Sequence, residues 1–92
     1  MITHHDLKAF DEMFEGFKDG SYTSTIRYNN DRHFQIDDTV TLHEGHQELH
    51  EFVYTGNKVS FRISNITDYG CVAGHVCLHL KDRDLLIIKD EV

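Results

Sequence analysis

The sequence predicts a small α+β domain with one main N-terminal helix and a barrel-like sheet of five or six short strands. Two patterns predict it: apolar residues spaced by three and four before Gly20, and two-residue alternation after it. The absence of any proline or Gly/Ser-rich run leaves the 92 residues as one domain, 1–92, without a linker.

Leu7, Phe10, Phe14 and Phe17 form one apolar stripe, with Met13 beside Phe14, which predicts a helix from about Ala9 to Asp19. Asp11 and Glu12 occupy its first turn, where the helix dipole favours anions. Lys18 lies in its last turn, and Gly20 is placed to be the left-handed residue that ends it. Thr3 to Lys8, just before it, reads as a short strand.

Beyond Gly20 the chemistry is that of strands. Tyr22 to Tyr28 is rich in β-branched and aromatic residues, and Asn29-Asn30-Asp31-Arg32 is a turn signal. Thr39 to Leu42 reads as a second strand. Glu44 to Gly56 reads as a polar, acidic excursion closed by a Thr55-Gly56-Asn57 turn. Lys58 to Thr67 alternates, with Val59, Phe61, Ile63 and Asn65 on one face and Ser60, Arg62 and Ser64 on the other. Gly74 to Leu80 and Leu85 to Lys89 read as two more strands joined at Lys81-Asp82-Arg83-Asp84. Val76, Leu78 and Leu80 share one face of the first, and His75, Cys77 and His79 the other. Closing such a sheet into a barrel removes its exposed edges.

Composition narrows the function classes. Apolar residues are 39% of the chain, with six Phe and four Tyr, enough for a core and too many for disorder. No apolar run approaches the roughly 20 residues that span a bilayer. MITHHDLKAF lacks the layout of a signal peptide, and two cysteines, Cys71 and Cys77, are too few for a secreted disulfide scaffold. The expectation is a reduced, cytoplasmic protein with no membrane partner. Net charge is −7 with histidine neutral. Residues 37–51 carry Asp37, Asp38, Glu44, Glu48 and Glu51 with no Lys or Arg. A sequence-independent nucleic-acid binder shows the opposite, a broad basic face, so any such role here is local and selective.

Eight histidines raise the question of a metal. His43-Glu44-Gly45-His46-Gln47-Glu48-Leu49-His50 is not the zinc-protease pattern, which needs a helix with Glu next to its first His. His75, Cys77 and His79 lie along a single strand face, which seldom converges into a site by itself. The expectation is no metal, no cofactor and a charge that responds to pH near the histidine range. Cys77 reads as a small core residue and Cys71 as a loop thiol.

Several segments in fixed order carry a resemblance: His5-Asp6-Leu7-Lys8, the helix with spaced Phe, and Asp19-Gly20. Thr23-Ser24-Thr25-Ile26-Arg27, Asn30-Asp31-Arg32 and Phe34-Gln35-Ile36-Asp37-Asp38 follow. Tyr54-Thr55-Gly56, Ile66-Thr67-Asp68-Tyr69-Gly70 and Gly74-His75-Val76-Cys77-Leu78 complete it. Together they resemble the ASCH superfamily, with its PUA-like β-barrel, from about His5 to Leu80. The chain most resembles a short branch, common in phages and bacteria, described only as a domain of unknown function.

The resemblance implies binding of RNA or of single modified nucleotides in a cleft between the helix and the barrel mouth. One class of relatives hydrolyses the acyl amide of acetylated cytidine with a Lys, a Thr and a Glu. The first two lie in a Gly-x-Lys-x-x-Thr-x-Arg pattern. Here Gly20, Thr25 and Arg27 match, Tyr22 replaces the Lys, and neither Glu44 nor Glu51 can be assigned as the Glu. A phenol, with an ordinary pKa near 10, is a poor substitute for an amine that activates a hydroxyl. Asp37 also stands where the family has Gly.

The site residues that follow are Lys8, Tyr22, Thr25, Arg27, Asn30, Asp31 and Arg32. The arginines suit a phosphate gripped by two parallel hydrogen bonds, and Lys8 adds a point charge. Tyr22 or Tyr28 could offer a face to an unpaired base. The Asn30-Asp31-Arg32 segment is also explained as a turn that bonds its own backbone. The leading expectation is a non-catalytic module that binds a nucleotide or single-stranded nucleic acid. One alternative is an amidohydrolase of acylated nucleosides, with Thr25 and Tyr22 as its reacting groups. The other is a phage-type inhibitor that presents the acidic 37–51 segment to a host protein.

Overall fold

A computed structural model describes residues 2–29 and 32–86. The element order is β1 (His4–Phe10), α1 (Asp11–Asp19), β2 (Ser24–Tyr28), β3 (Thr39–Glu48), β4 (Glu51–Thr67) and β5 (His75–Leu86). The five strands form one mixed sheet in the order β1-β3-β4-β5-β2. β1 runs parallel to β3, and the other three pairings are antiparallel.

Three element boundaries differ from expectation. The helix begins at Asp11, because parallel pairing with β3 carries β1 through Ala9 and Phe10 to Gly45. Strand alternation therefore governs Leu7, Ala9 and Phe10: the first two point into the core and Phe10 points out. The excursion from Glu44 to Gly56 is instead the end of a long β3–β4 hairpin, turning at Leu49 and His50. Lys81 to Asp84 is no joint between strands, since β5 runs through it with an irregularity opposite Ser60 and Arg62. Residues 87–89 of the last expected strand lie outside the described residues.

The barrel is not closed among the described residues. β1 and β2 are the two edges of the sheet, and no ladder pairs them. The fold is α+β with an open, five-stranded mixed sheet and one short helix.

The core lies between α1 and the inner face of the sheet. Phe14 and Phe17 from the helix meet Leu7, Val40, Leu42, Val59, Phe61, Ile63, Leu78 and Leu80 from the strands. Burial of side chains of this size contributes about 1.5–3 kcal/mol each. Gly20 ends the helix with φ 87, the left-handed cap its position predicts. Asn65 does not follow Val59, Phe61 and Ile63 inward; a register shift after Ile63 turns it to solvent and lets Ile66 pack instead.

Asp38 anchors the segment that leads into β3. Only 1% exposed, it accepts hydrogen bonds from the Thr3 and Gln35 backbone N–H groups and bonds to His5 Nε2 at 2.9 Å. Burial opposes its ionisation, but the His5 ring and the two backbone donors outweigh that and hold its carboxyl below the ordinary range. The Ile63 N–H donates to the Asp38 carbonyl at 2.8 Å, and the Asp37 N–H donates to the Ile63 carbonyl at 2.8 Å.

Candidate functional site

The outward face of β1 carries His4, Asp6, Lys8 and Phe10, the alternate positions left by the buried His5, Leu7 and Ala9. Register with β3 sets Lys8 beside His43. The β3–β4 hairpin adds Phe52 and Tyr54. Across the opening stands β2, whose Thr25 and Arg27 share one face.

Arg27 connects the two edges. Its Nη2 donates to the Lys8 carbonyl at 3.0 Å, and its Nε donates to Thr25 Oγ1 at 3.1 Å. The bond to Lys8 crosses the gap that a closed barrel would fill with a ladder. Burial, and secondarily the charge of Arg32, push the Arg27 pKa below its ordinary value; guanidinium nevertheless stays charged.

Beside this bridge is a cleft of about 560 Å³ lined by Asp6, Leu7, Lys8, Arg27, Arg32, His43 and Tyr54. That volume lies within the ~300–1,000 Å³ typical of small-molecule sites. Three cations face it. Among the described residues, none of Lys8, Arg27 and Arg32 forms an ion pair with a carboxylate. The one acid on the wall, Asp6, bonds instead to His43 Nε2 at 2.8 Å and to His4 Nε2 at 3.2 Å. The His43 bond is the main reason its carboxyl sits below the usual range, against partial burial and with help from His4.

Aromatic rings complete the wall. Tyr54 is 53% exposed, stands edge-on to His43 and packs against Phe52 with centroids 5.0 Å apart. Phe10 meets Phe52 at 5.6 Å, and Lys8 Nζ lies 5.1 Å from the Phe52 centroid, a cation–π contact.

Of the residues singled out from sequence, Lys8, Arg27 and Arg32 converge on this cleft and Thr25 lines the space next to it. Tyr22 is elsewhere. Its ring packs edge-on against Phe17 and so tightly over Gly16 that a methyl group there would overlap it. Tyr28 lies over Gly74 and against His75. Asn30 and Asp31 lie outside the described residues. Sequence reasoning missed Asp6, His43, Phe52 and Tyr54. A strand from Thr3 to Lys8 is legible in the sequence, but Phe10 reads there as helical, and the partners opposite β1 depend on its register with β3.

The other proposed chemistries find less. Among the described residues, the Thr25 hydroxyl has Arg27 as its hydrogen-bonding partner and no amine or carboxylate. Glu44 is nearly buried at an irregularity of the hairpin, where Thr55 Oγ1 and Asn57 Nδ2 donate to it at 2.7 and 3.0 Å. With Asp38 also internal, the 37–51 acids do not form one continuous exposed face. Among the described residues, no three His, Cys, Asp or Glu side chains are grouped to hold a metal ion. No described helix is long and apolar enough to cross a membrane.

A family model described as "Domain of unknown function (DUF3850)" matches residues 4–80, a span that contains β1 to β4, the first half of β5 and every cleft residue. No curated protein matches the chain.

Proposed function

This chain belongs to the DUF3850 family, and we propose that its cleft binds a nucleotide or the backbone of a single-stranded nucleic acid, without catalysis. The observation that carries this reading is the convergence of Lys8, Arg27 and Arg32, which pair with no carboxylate among the described residues, beside the exposed Tyr54 ring. Asp6, the acid on the same wall, is turned to His43 and His4, so the three cations repel one another and a bound anion relieves that cost. Arg27 uses two of its N–H groups on Thr25 and Lys8, leaving three of the five that a guanidinium carries. Tyr54 supplies a base-sized face, and stacking of that kind contributes about 1–3 kcal/mol per base.

Kinship with the ASCH and PUA-like domains is part of the same proposal. It is supported by the order of the segments and by two strand edges brought close enough for Arg27 to bridge. A cytoplasmic setting fits two cysteines that remain free and half-buried.

Thermal shift tests the reading. Nucleoside 5′-monophosphates should raise the midpoint more than the matching nucleosides, by mass action on the folded state. The difference should vanish in Arg32→Ala, whose exposed side chain is a minor contributor to folding. No shift with any nucleotide would sink the proposal and turn attention to a protein partner.

A further inference from the structure

A second cleft of about 400 Å³ adjoins the first and shares Lys8 and Arg27 with it. Its lining differs. Phe10, Met13, Phe52 and Ile26 dominate, with Thr25 and Gln47 as its polar members. Phe10, Met13 and Ile26 are 50%, 46% and 60% exposed, so three large apolar side chains crowd one small opening without covering it. Exposed apolar surface gathered in this way marks a binding site more often than a bare surface.

The two clefts meet at the bridge. The Arg27–Lys8 bond borders both, and Lys8 Nζ stands over the Phe52 ring that walls the second. The arrangement is an aromatic compartment on each side of a cationic ridge. Tyr54 serves the first, and Phe10 and Phe52 serve the second.

We infer that the site takes a dinucleotide, with its internal phosphodiester on Arg27 and Lys8 and one base in each cleft. This rests on the nucleotide reading above and adds to it the length and seating of the ligand. A dinucleotide has the matching layout: one negative charge flanked by two planar, largely apolar groups. The three free N–H groups of Arg27 can bond the two non-bridging phosphate oxygens. Phe10 and Phe52 offer the second base a ring face or edge, and Thr25 and Gln47 offer it hydrogen bonds. A mononucleotide fills only one compartment and leaves the Phe10–Met13–Ile26 opening in water.

Isothermal titration calorimetry with the full chain tests this, using AMP and the dinucleoside monophosphate ApA. ApA carries less charge than AMP, so electrostatics alone predicts that it binds more weakly. The inference expects it to bind about tenfold more tightly, the size of one added stacking contact. Phe10→Ala and Met13→Ala, both at half-exposed positions, should each move the ApA-to-AMP affinity ratio toward one while far-ultraviolet circular dichroism reports an intact fold. If AMP binds in an Arg32-dependent manner and ApA binds no better, the dinucleotide inference is overturned and the mononucleotide reading stands. If neither ligand binds, both are overturned. A tenfold preference that survives both substitutions would also overturn the assignment, by placing the second base outside this cleft.

Discussion

The Arg27 guanidinium donates from Nη2 to the Lys8 carbonyl at 3.0 Å, joining the two edge strands of a sheet in which they are not neighbours. One side-chain bond thus does at the cleft what a strand ladder does elsewhere. Arg27→Lys keeps the charge but cannot donate to both Thr25 Oγ1 and the Lys8 carbonyl. It should lower stability to urea by about 1.5–3 kcal/mol, the range of a hydrogen bond to a charged group. Nucleotide affinity should fall as well. Wild-type values of both would mean that the bridge does not shape the cleft.

Among the described residues Asp6 is the one carboxylate on the wall of the first cleft, opposite three cations that it does not pair with. Asp6→Asn removes that negative charge while keeping a group that can accept from His43. Affinity for a nucleotide should rise roughly two- to fivefold, the scale of one charge a few ångströms away through water. The gain should shrink at high salt. Weaker binding would instead show that the ionised Asp6 orients His43 for contact with the ligand.

Asp38 makes stability depend on acid. Its carboxyl is held below the ordinary range in the fold, so the stability it contributes is present above its unfolded pKa, near 3.9. That contribution is lost as the pH falls through the lower, folded value. Urea midpoints measured from pH 6 downward should therefore drop below about pH 4. Asp38→Ala should remove this component of the slope and cost about 3 kcal/mol at pH 7. The loss is large because the buried His5 ring is left without its acceptor, and the part-buried Thr3 and Gln35 N–H groups lose theirs as well. An unchanged acid limb in the variant would assign it to other groups.

Asp37 sits at φ 77, a left-handed conformation in which side chains other than glycine are strained. Its backbone is used on both sides, since its N–H donates to the Ile63 carbonyl and its own carbonyl accepts from Arg62 Nη1. Asp37→Gly keeps both bonds and relieves about 1–2 kcal/mol of strain against about 0.5–1 kcal/mol of added chain entropy, so it should stabilise the protein by about 0.5–1 kcal/mol in urea unfolding. A backbone angle of this kind is the one at which glycine is least strained. Destabilisation would mean that the exposed Asp37 carboxylate contributes more than the strain costs.

Local patterns in the sequence determined much of this molecule. The Phe14 and Phe17 spacing specified a helix that Gly20 ends. Val59-Phe61-Ile63 specified the buried face of β4, and Leu78 and Leu80 that of β5. These readings need only neighbouring residues, because helix and strand periods repeat within a few positions. Lys8, Arg27 and Arg32 were legible as cations, and the resemblance set them in one site.

Tertiary structure decided the rest. The parallel register of β1 on β3 extended the strand to Phe10, set His43 beside Lys8 and turned a presumed acidic loop into a hairpin that brings Tyr54 to the cleft. Burial decided the fate of Asp38 and Glu44, which composition alone counts as surface charge. Packing set the Tyr22 ring over Gly16 and against Phe17, away from the cleft that Lys8, Arg27 and Arg32 line. Pairings between residues 30 or more positions apart carry no periodic signal in one sequence, because each strand edge can satisfy its hydrogen bonds with several others. Only the packed chain selects one pairing, and the cleft lies where β1 and β2 meet without forming a ladder.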